Sequence, residues 1–239
     1  MSAPSRGLRA AAERAFDAAM RHNHANIIRM LDTESGDRLI DLGCDDGART
    51  LQFAAATQAT DIHGVETQPD RARLARARGI HVWQGDLDDP LPYDDQAFDI
   101  VCSNQVIEHV RDTDHFVTET RRVLAPGGYT VVSTENLASW HNIAALVLGW
   151  QPFSLSNVSA ATLSMGNPIG IHRGESERRG SSWQHQRVFA HRGLVELYEA
   201  HGFVVESVLG AGYYPLPTYV ATHDPRHGAF LALKARLPQ

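Results

Sequence analysis

Leu39-Ile40-Asp41-Leu42-Gly43-Cys44-Asp45-Asp46-Gly47 is the stretch whose reading decides the fold. An apolar run, Arg38 to Gly43, has the length of a strand. It enters a glycine-bearing turn, and a helix over about 48–56 follows. Glycine accepts positive φ and lets the backbone approach a ligand closely. The helix start adds unpaired N–H groups and the positive end of a dipole. Such a strand–turn–helix unit suits a nucleotide or a nucleoside-like ligand.

Strand and helix alternate outward from this turn. Residues 61–66 (Ile62, His63, Gly64, Val65) read as a second strand. Pro69 fits the first position of the next helix and Gly79 its stop. Strands follow over 80–84, 98–103 and 129–134, with a helix over about 114–124 before Pro126-Gly127-Gly128. Upstream, residues 6–31 carry apolar residues at helical spacing, as one helix or two. Downstream, the pattern predicts helices over 137–149 and 191–200 and strands over 203–209 and 229–235. The last two strands have no helix between them, so they pair antiparallel. The fold class is therefore α/β: a doubly wound, Rossmann-like, seven-stranded, mostly parallel sheet with the last strand antiparallel and helices on both faces. The domain reading is N-terminal helices over 1–35 packed on a core domain over 36–239, with an inserted segment at about 140–190. Within that insertion, Gln151 to Arg187 is polar, Gly/Ser-rich and without clear period. Its length marks it as a functional lid or a partly disordered stretch.

The ligand is narrowed by charge. A dinucleotide fingerprint needs glycines at 43, 45 and 48, but these positions hold Gly43, Asp45 and Ala48. Asp45 would set a carboxylate against a pyrophosphate. A ligand with a cationic sulfonium and an amino group meets no such repulsion, and Asp41 and Asp45 favour it. This disfavours a nucleotide-dependent oxidoreductase. The phosphate-binding GxxxxGK[ST] pattern is absent as well.

Asp41-Leu42-Gly43-Cys44-Asp45-Asp46-Gly47 resembles the first motif of class I S-adenosylmethionine (SAM)-dependent methyltransferases, D/E-x-G-x-G-x-G, with Asp45 in place of the usual glycine. The resemblance extends in order. Glu66, nineteen positions after Gly47, stands where the family places its ribose-binding acid, followed by Thr67. Gln84-Gly85-Asp86-Leu87 ends the third strand where the family receives the adenine, with Asp86 as acceptor and Leu87 against the ring. Asn104 and Gln105 fall where the turn lines the sulfonium pocket, followed by Glu108-His109-Val110 and Leu124-Ala125-Pro126-Gly127-Gly128. This is similar to the small-molecule (methyltransferase type 11-like) branch. The Asn/Asp-Pro-Pro-aromatic turn of nucleic-acid amino methyltransferases is missing. The ordered motifs cover about residues 36–136, and the match is loose over 188–236. The resemblance implies SAM as cofactor, S-adenosyl-L-homocysteine as product, and Asp41, Gly43, Cys44, Asp45, Gly47, Glu66, Thr67, Asp86, Leu87, Asn104 and Gln105 at the cofactor.

Ligands of open α/β sheets bind beyond the carboxyl ends of the strands. The acceptor pocket is therefore expected under the segments after strands four and five and the 210–224 loop. Its candidates are His109, Trp140, His141, Trp183, His185, Tyr213, Tyr214 and His223. A hydroxyl acceptor needs a base near neutral pKa, for which His is suited. His141 and His185 are the candidate bases, and His109 reads as structural. Histidine spacing predicts no metal site. Oxygen ranks slightly ahead of nitrogen or carbon as the acceptor atom. The other classes considered are a non-catalytic SAM-binding or partner-binding module and an RNA methyltransferase.

The 239 residues suffice for a sizeable core without disulfides. Cys44 and Cys102 read as small apolar residues at strand ends. The net charge of -6 argues against a nucleic-acid partner. No membrane-length apolar run and no secretory core occur. The expectation is a cytoplasmic enzyme, monomeric or homodimeric, acting on a small molecule.

Overall fold

The computed structural model describes residues 6–33, 36–159, 163–170 and 184–239. Seven strands form one sheet in the order β3-β2-β1-β4-β5-β7-β6, with β7 antiparallel. In chain order the elements are α1 (Arg6–Met30), β1 (Arg38–Leu42), α2 (Ala48–Thr57), β2 (Asp61–Val65), α3 (Pro69–Ala77) and β3 (His81–Trp83). They continue with β4 (Phe98–Asn104), α4 (Thr113–Val123), β5 (Leu124–Glu135), α5 (Trp140–Val147), α6 (His191–Ala200), β6 (Val204–Ala211) and β7 (Phe230–Arg236). This is the doubly wound fold that the alternation predicts. Among the described residues, no helix is long and apolar enough to cross a membrane.

The chain divides into two compact units, 27–133 with 195–208 and 232–239, and 1–26 with 134–194 and 209–231. In the first unit, Leu39, Ile40, Leu42, Ile100 and Val101 are buried. A parallel strand covered on both faces reads as a continuous apolar run rather than an alternating one. β1 pairs in register with β2 (Asp41 opposite Gly64) and with β4 (Asp41 opposite Cys102). β1 is thus the point where the strand order reverses. Both cysteines are buried and unbridged. α3 begins at Pro69, and its chain reverses at Gly79, φ +87°.

Several boundaries differ from the sequence reading. Ile80 lies between α3 and β3, just outside the strand, and its N–H donates back to Ala75 O. Pro126-Gly127-Gly128 does not end the helix in open loop. It lies inside β5, where an irregularity shifts the pairing from Phe98–Leu124 to Ile100–Tyr129. A Cβ on Gly128 would lie 2.8 Å from the carbonyl oxygens of Ala125 and Asp99, so that crossing requires glycine. α5 is shorter than expected, spanning 140–147. The segment expected as lid or disorder contains a short 3-10 turn at Phe153–Leu155, and its stretch 171–183 lies outside the described residues.

In the second unit, α1 is one helix. Ala19 is buried against Ala211, Ala229 and Phe230, and Phe16 packs edge-on to Phe230 at 5.9 Å. Asn26 Nδ2 donates to Gly210 O at 3.0 Å.

The chain's single lysine, Lys234, is buried in the first unit. Its Nζ lies 2.6 Å from Asp32 Oδ1, 3.4 Å from Glu206 and 4.5 Å from the centre of the Tyr129 ring. Arg236 adds ion pairs to Asp32 and Glu206. Burial raises both carboxyls, but the bonds from Lys234 and Arg236 outweigh it and hold both below the usual carboxylate range. Carboxylates depressed in the folded state stabilise above their unfolded pKa and lose that contribution as pH falls through the folded value. Lys234→Met should therefore lower the unfolding free energy at pH 7 by about 1–3 kcal/mol. The loss should shrink towards pH 3, as read by urea denaturation at both pH values.

Candidate cofactor and acceptor sites

The turn after β1 is held in the left-handed region at three positions: Gly43 (φ +85°), Asp45 (φ +49°) and Gly47 (φ +81°). A Cβ on Gly43 would lie 2.4 Å from Val106 Cγ2, and one on Gly47 2.5 Å from Ile80 Cδ1. Both glycines are therefore set by contact as well as by torsion. Asp45 occupies a conformation that glycine takes readily and that Asp and Asn tolerate better than most residues. Gly43 and Cys44 N–H both donate to Val65 O at 2.9 Å, tying the turn to the end of β2.

Asp41 is buried at the end of β1. Its Oδ2 accepts from Thr50 Oγ1 at 2.6 Å, and its Oδ1 has no hydrogen-bond partner among the described residues. Burial pushes its carboxyl up to about 7, against the Thr50 bond and the Arg49 charge; Glu66 and Asp45 add to the rise. Glu66 Oε2 accepts from Asp45 N–H at 3.0 Å and Oε1 from Gln68 N–H at 2.7 Å. Thr67 stands beside it, with Oγ1 3.5 Å from Glu66 Oε1. Arg71 pairs with Asp45 at 3.2 Å, and both groups are more than half exposed. Asp46 accepts from Ala48 N–H at 3.0 Å, so the first turn of α2 is capped from the loop.

Cys44 is buried beside the turn. Its side chain packs with Ala75 and Ile80, and a Cβ on Gly64 would strike its Sγ at 2.6 Å. Beyond β3, Asp86 is exposed, accepts from Asp88 N–H at 3.1 Å, and stands 3.8 Å from Arg111. Leu87 is buried. Asp88 accepts from Arg111 N–H and Asp112 N–H at 2.8 and 3.0 Å and from Arg111 Nε at 2.9 Å, which anchors the loop after β4 to the loop after β3. Sequence reasoning missed this anchor; its signal is an Asp two positions beyond the Gly-Asp turn. After β4, Asn104 is half-buried, and Gln105 takes φ +59°. Gln105 N–H donates to Ser133 O at 2.8 Å and Nε2 to Ser133 Oγ at 3.1 Å. Asp41, Glu66, Asp86, Asn104 and Gln105 thus all stand at the carboxyl ends of β1–β4, the edge where open α/β sheets bind ligands. His109 is half-buried in the turn after β4, where its N–H donates to Val106 O at 2.8 Å.

The second unit holds the other candidates. His141 packs between Phe153 and Tyr214, at ring distances of 5.2 and 5.0 Å, and burial lowers its pKa to about 4. His185 is nearly buried; its Nδ1 lies 2.5 Å from Ser154 O and 3.7 Å from Glu135. A carbonyl only accepts, so Nδ1 donates to Ser154 O. Trp140 Nε1 donates to Tyr213 Oη at 2.8 Å. His223 is exposed at the end of a 3-10 turn, and Trp183 lies outside the described residues. Two residues absent from the sequence reading join Tyr213: Asp224 and His227. Their signal is Asp-Pro-Arg-His at 224–227, a carboxylate three positions before an imidazole.

A reversing parallel sheet with a left-handed glycine turn and acids at the ends of its first three strands defines a Rossmann-like methyltransferase fold. The chain belongs to the methyltransferase-domain family, whose sequence profile matches residues 12–208. It is 32% identical over 167 residues to a ubiquinone biosynthesis O-methyltransferase from a Bradyrhizobium species, covering 65% of this chain and 58% of the relative. It is 33% identical over 133 residues to norajmaline N-methyltransferase from Rauvolfia serpentina, covering 53% and 44%. The chain spans about half the length of the curated relatives it matches. A SAM-dependent methyltransferase structure from Mesorhizobium loti shares the fold, with a TM-score of 0.59 at 22% identity over 89% of this chain and 96% of that one. Family and fold imply S-adenosylmethionine as the cofactor. The buried Asp41 oxygen, which has no hydrogen-bond partner among the described residues, fits such a group.

A carboxyl whose folded pKa lies above its unfolded value costs stability when it ionises, so stability falls as pH rises from about 4 to about 7. Without ligand, Asp41→Asn should therefore be more stable than the parent at pH 8 by about 1–4 kcal/mol. The gap should narrow at pH 4, with urea unfolding as the measurement.

Proposed function

We propose that the protein transfers a methyl group from SAM to a small-molecule acceptor, with a hydroxyl oxygen preferred over nitrogen or carbon. One observation carries the reading: Asp41, Asp45 and Glu66 surround the turn at the strand-order reversal, and this charge suits a cationic amino-acid sulfonium and repels a pyrophosphate. When bound, SAM supplies an electrophilic methyl group on a positively charged sulfur. The chain's own residues bind and orient it. Asp41 and Asp45 face the cationic portion, Glu66 and Thr67 the ribose, Asp86 and Leu87 the adenine, and Asn104 and Gln105 the edge beside the methyl. Glu66 Oε2 accepts one backbone bond, from Asp45 N–H, and retains a lone pair for a ribose hydroxyl.

The N-terminal helices over 1–35 and the insertion at about 140–190 are proposed to set acceptor choice. Oxygen ranks first because a hydroxyl needs a base, for which the insertion offers His185 with its Nδ1 on Ser154 O, where an amine needs only an early deprotonation. The Bradyrhizobium relative is named as an O-methyltransferase and the Rauvolfia relative as an N-methyltransferase, so the atom itself rests on this argument. The net charge of -6 supports a small molecule over RNA.

Calorimetry should show SAM binding and no binding of NADH; tight NADH binding would reverse the cofactor assignment. Glu66→Ala should weaken SAM binding by at least about 1 kcal/mol, roughly fivefold. An unchanged affinity would remove Glu66 from the ribose site.

A further inference from the structure

The loop after β3 carries three acids, Asp86, Asp88 and Asp89. All three act on one cation, the guanidinium of Arg111 from the turn after β4. These residues all lie in the first unit. Asp88, with a side chain only 12% exposed, makes most of the bonds. Its Oδ1 accepts from Arg111 N–H at 2.8 Å and from Asp112 N–H at 3.0 Å, and its Oδ2 accepts from Arg111 Nε at 2.9 Å. Burial raises the Asp88 carboxyl, but the bonds from Arg111 and from the two backbone amides outweigh it and hold the group below the usual carboxylate range. Asp112 in turn caps α4, its Oδ1 accepting from His115 N–H at 2.9 Å. The guanidinium is therefore fixed to the start of a helix.

Asp86 uses its two oxygens differently. Oδ1 accepts from Asp88 N–H at 3.1 Å. Oδ2 stands 3.8 Å from Arg111 Nη2, inside the range of an ion pair but beyond that of a hydrogen bond. The cation thus holds the carboxylate from one side without consuming a lone pair. Without it, three acids would repel one another within one short loop. Asp86, 51% exposed, has little packing of its own to keep it at the strand end. A carboxylate accepts and never donates, so an Asp86 held there matches the N–H of an amino group and opposes a carbonyl oxygen.

We propose that Asp88 and Arg111 are positioning residues: they hold Asp86 as the acceptor for a 6-aminopurine, and so make the cofactor site select adenine over a 6-oxopurine. The inference rests on the SAM reading above, in which Asp86 faces the adenine. It adds which residues hold that acid and what they discriminate. Both lie where they must for this role, in the turns beyond the carboxyl ends of β3 and β4, the edge at which open α/β sheets bind ligands. A 6-oxo group turned to Asp86 would lose the amino group's bond and set one lone pair against another, and a site built to hydrogen-bond a substrate N–H rejects an analogue lacking it. Arg111 is 72% exposed. Its contribution is therefore that of a solvent-screened pair, a factor of up to about five in affinity.

Calorimetry on the full chain with S-adenosylhomocysteine and its 6-oxo counterpart, S-inosylhomocysteine, reads this discrimination without turnover. The parent should bind the amino ligand roughly tenfold or more tightly than the oxo ligand. Arg111→Gln should weaken the amino ligand roughly threefold to fivefold and leave the oxo ligand no weaker, so that the ratio contracts. Asp88→Asn keeps an oxygen for the amides of residues 111 and 112 but loses the charge that holds the guanidinium, and should contract the ratio in the same way. A general loss of loop structure would weaken both ligands alike and leave the ratio in place. That result overturns the proposal, as does a parent that binds the two ligands equally. A parent that binds neither ligand overturns the SAM reading instead, whereas a parent that binds S-adenosylhomocysteine, with a ratio unmoved in both variants, overturns only the roles of Asp88 and Arg111.

Discussion

The contact between Gly43 and Val106 governs what this sheet can do. β1 and β4 pair through Asp41 and Cys102, and their following turns meet where the hydrogen of Gly43 leaves room for a valine methyl. Any side chain at 43 would force the two turns apart and move the ends of both strands. Because β1 is where the strand order reverses, that displacement would fall on the crevice in which the fold binds its ligand. The packing on the other side repeats this logic: Gly47 admits Ile80, and Gly64 admits Cys44. The turn is thus built from three close approaches, each made possible by a missing Cβ.

Charge then selects among the ligands such a turn could hold. Asp41 is buried with one oxygen unmatched, and its carboxyl is raised to about 7. In the isolated chain this is a cost. In the proposed binding mode a cationic ligand offsets this cost by supplying both a donor and a positive charge. Glu66 couples the same region to β2, because its two oxygens hold the backbone of Asp45 and Gln68. The acid that the family resemblance assigns to a ribose is also the clasp of the turn.

The second unit is organised by buried amides rather than by apolar packing alone. Asn136 and Asn142 are both fully buried. Asn142 Nδ2 donates to Asn136 O and Ser154 Oγ, which joins α5, the strand end and the 3-10 turn. Asn136 carries the arrangement on to the loop of His227. Buried polar groups that are satisfied fix one geometry more sharply than dispersion contacts do, because a lost partner leaves a desolvated group behind. A loop held in this way can be polar and still ordered.

Local patterns carried much of this. The apolar run at 39–42, the spaced glycines at 43 and 47, Pro69 at a helix start and Gly79 at its stop all act over a few residues, and so determine strand, turn and helix from the sequence alone. The order of Asp41, Glu66 and Asp86 along the chain placed them at successive strand ends, because each strand of a parallel sheet delivers its carboxyl end to the same edge. Other features were settled only in three dimensions. Pro126-Gly127-Gly128 reads as a break but is absorbed into β5, since the strand gains its partners from Phe98 to Asn104, far back in the chain. His141 reads as a candidate base in sequence, and only the fold shows it buried against Phe153 and Tyr214, with its pKa lowered to about 4. His227 carries no mark beyond an aspartate three residues earlier. Asn136, which binds the carbonyls on either side of it, and Trp140, which stacks on its ring, are distant in sequence and are brought to it by tertiary folding.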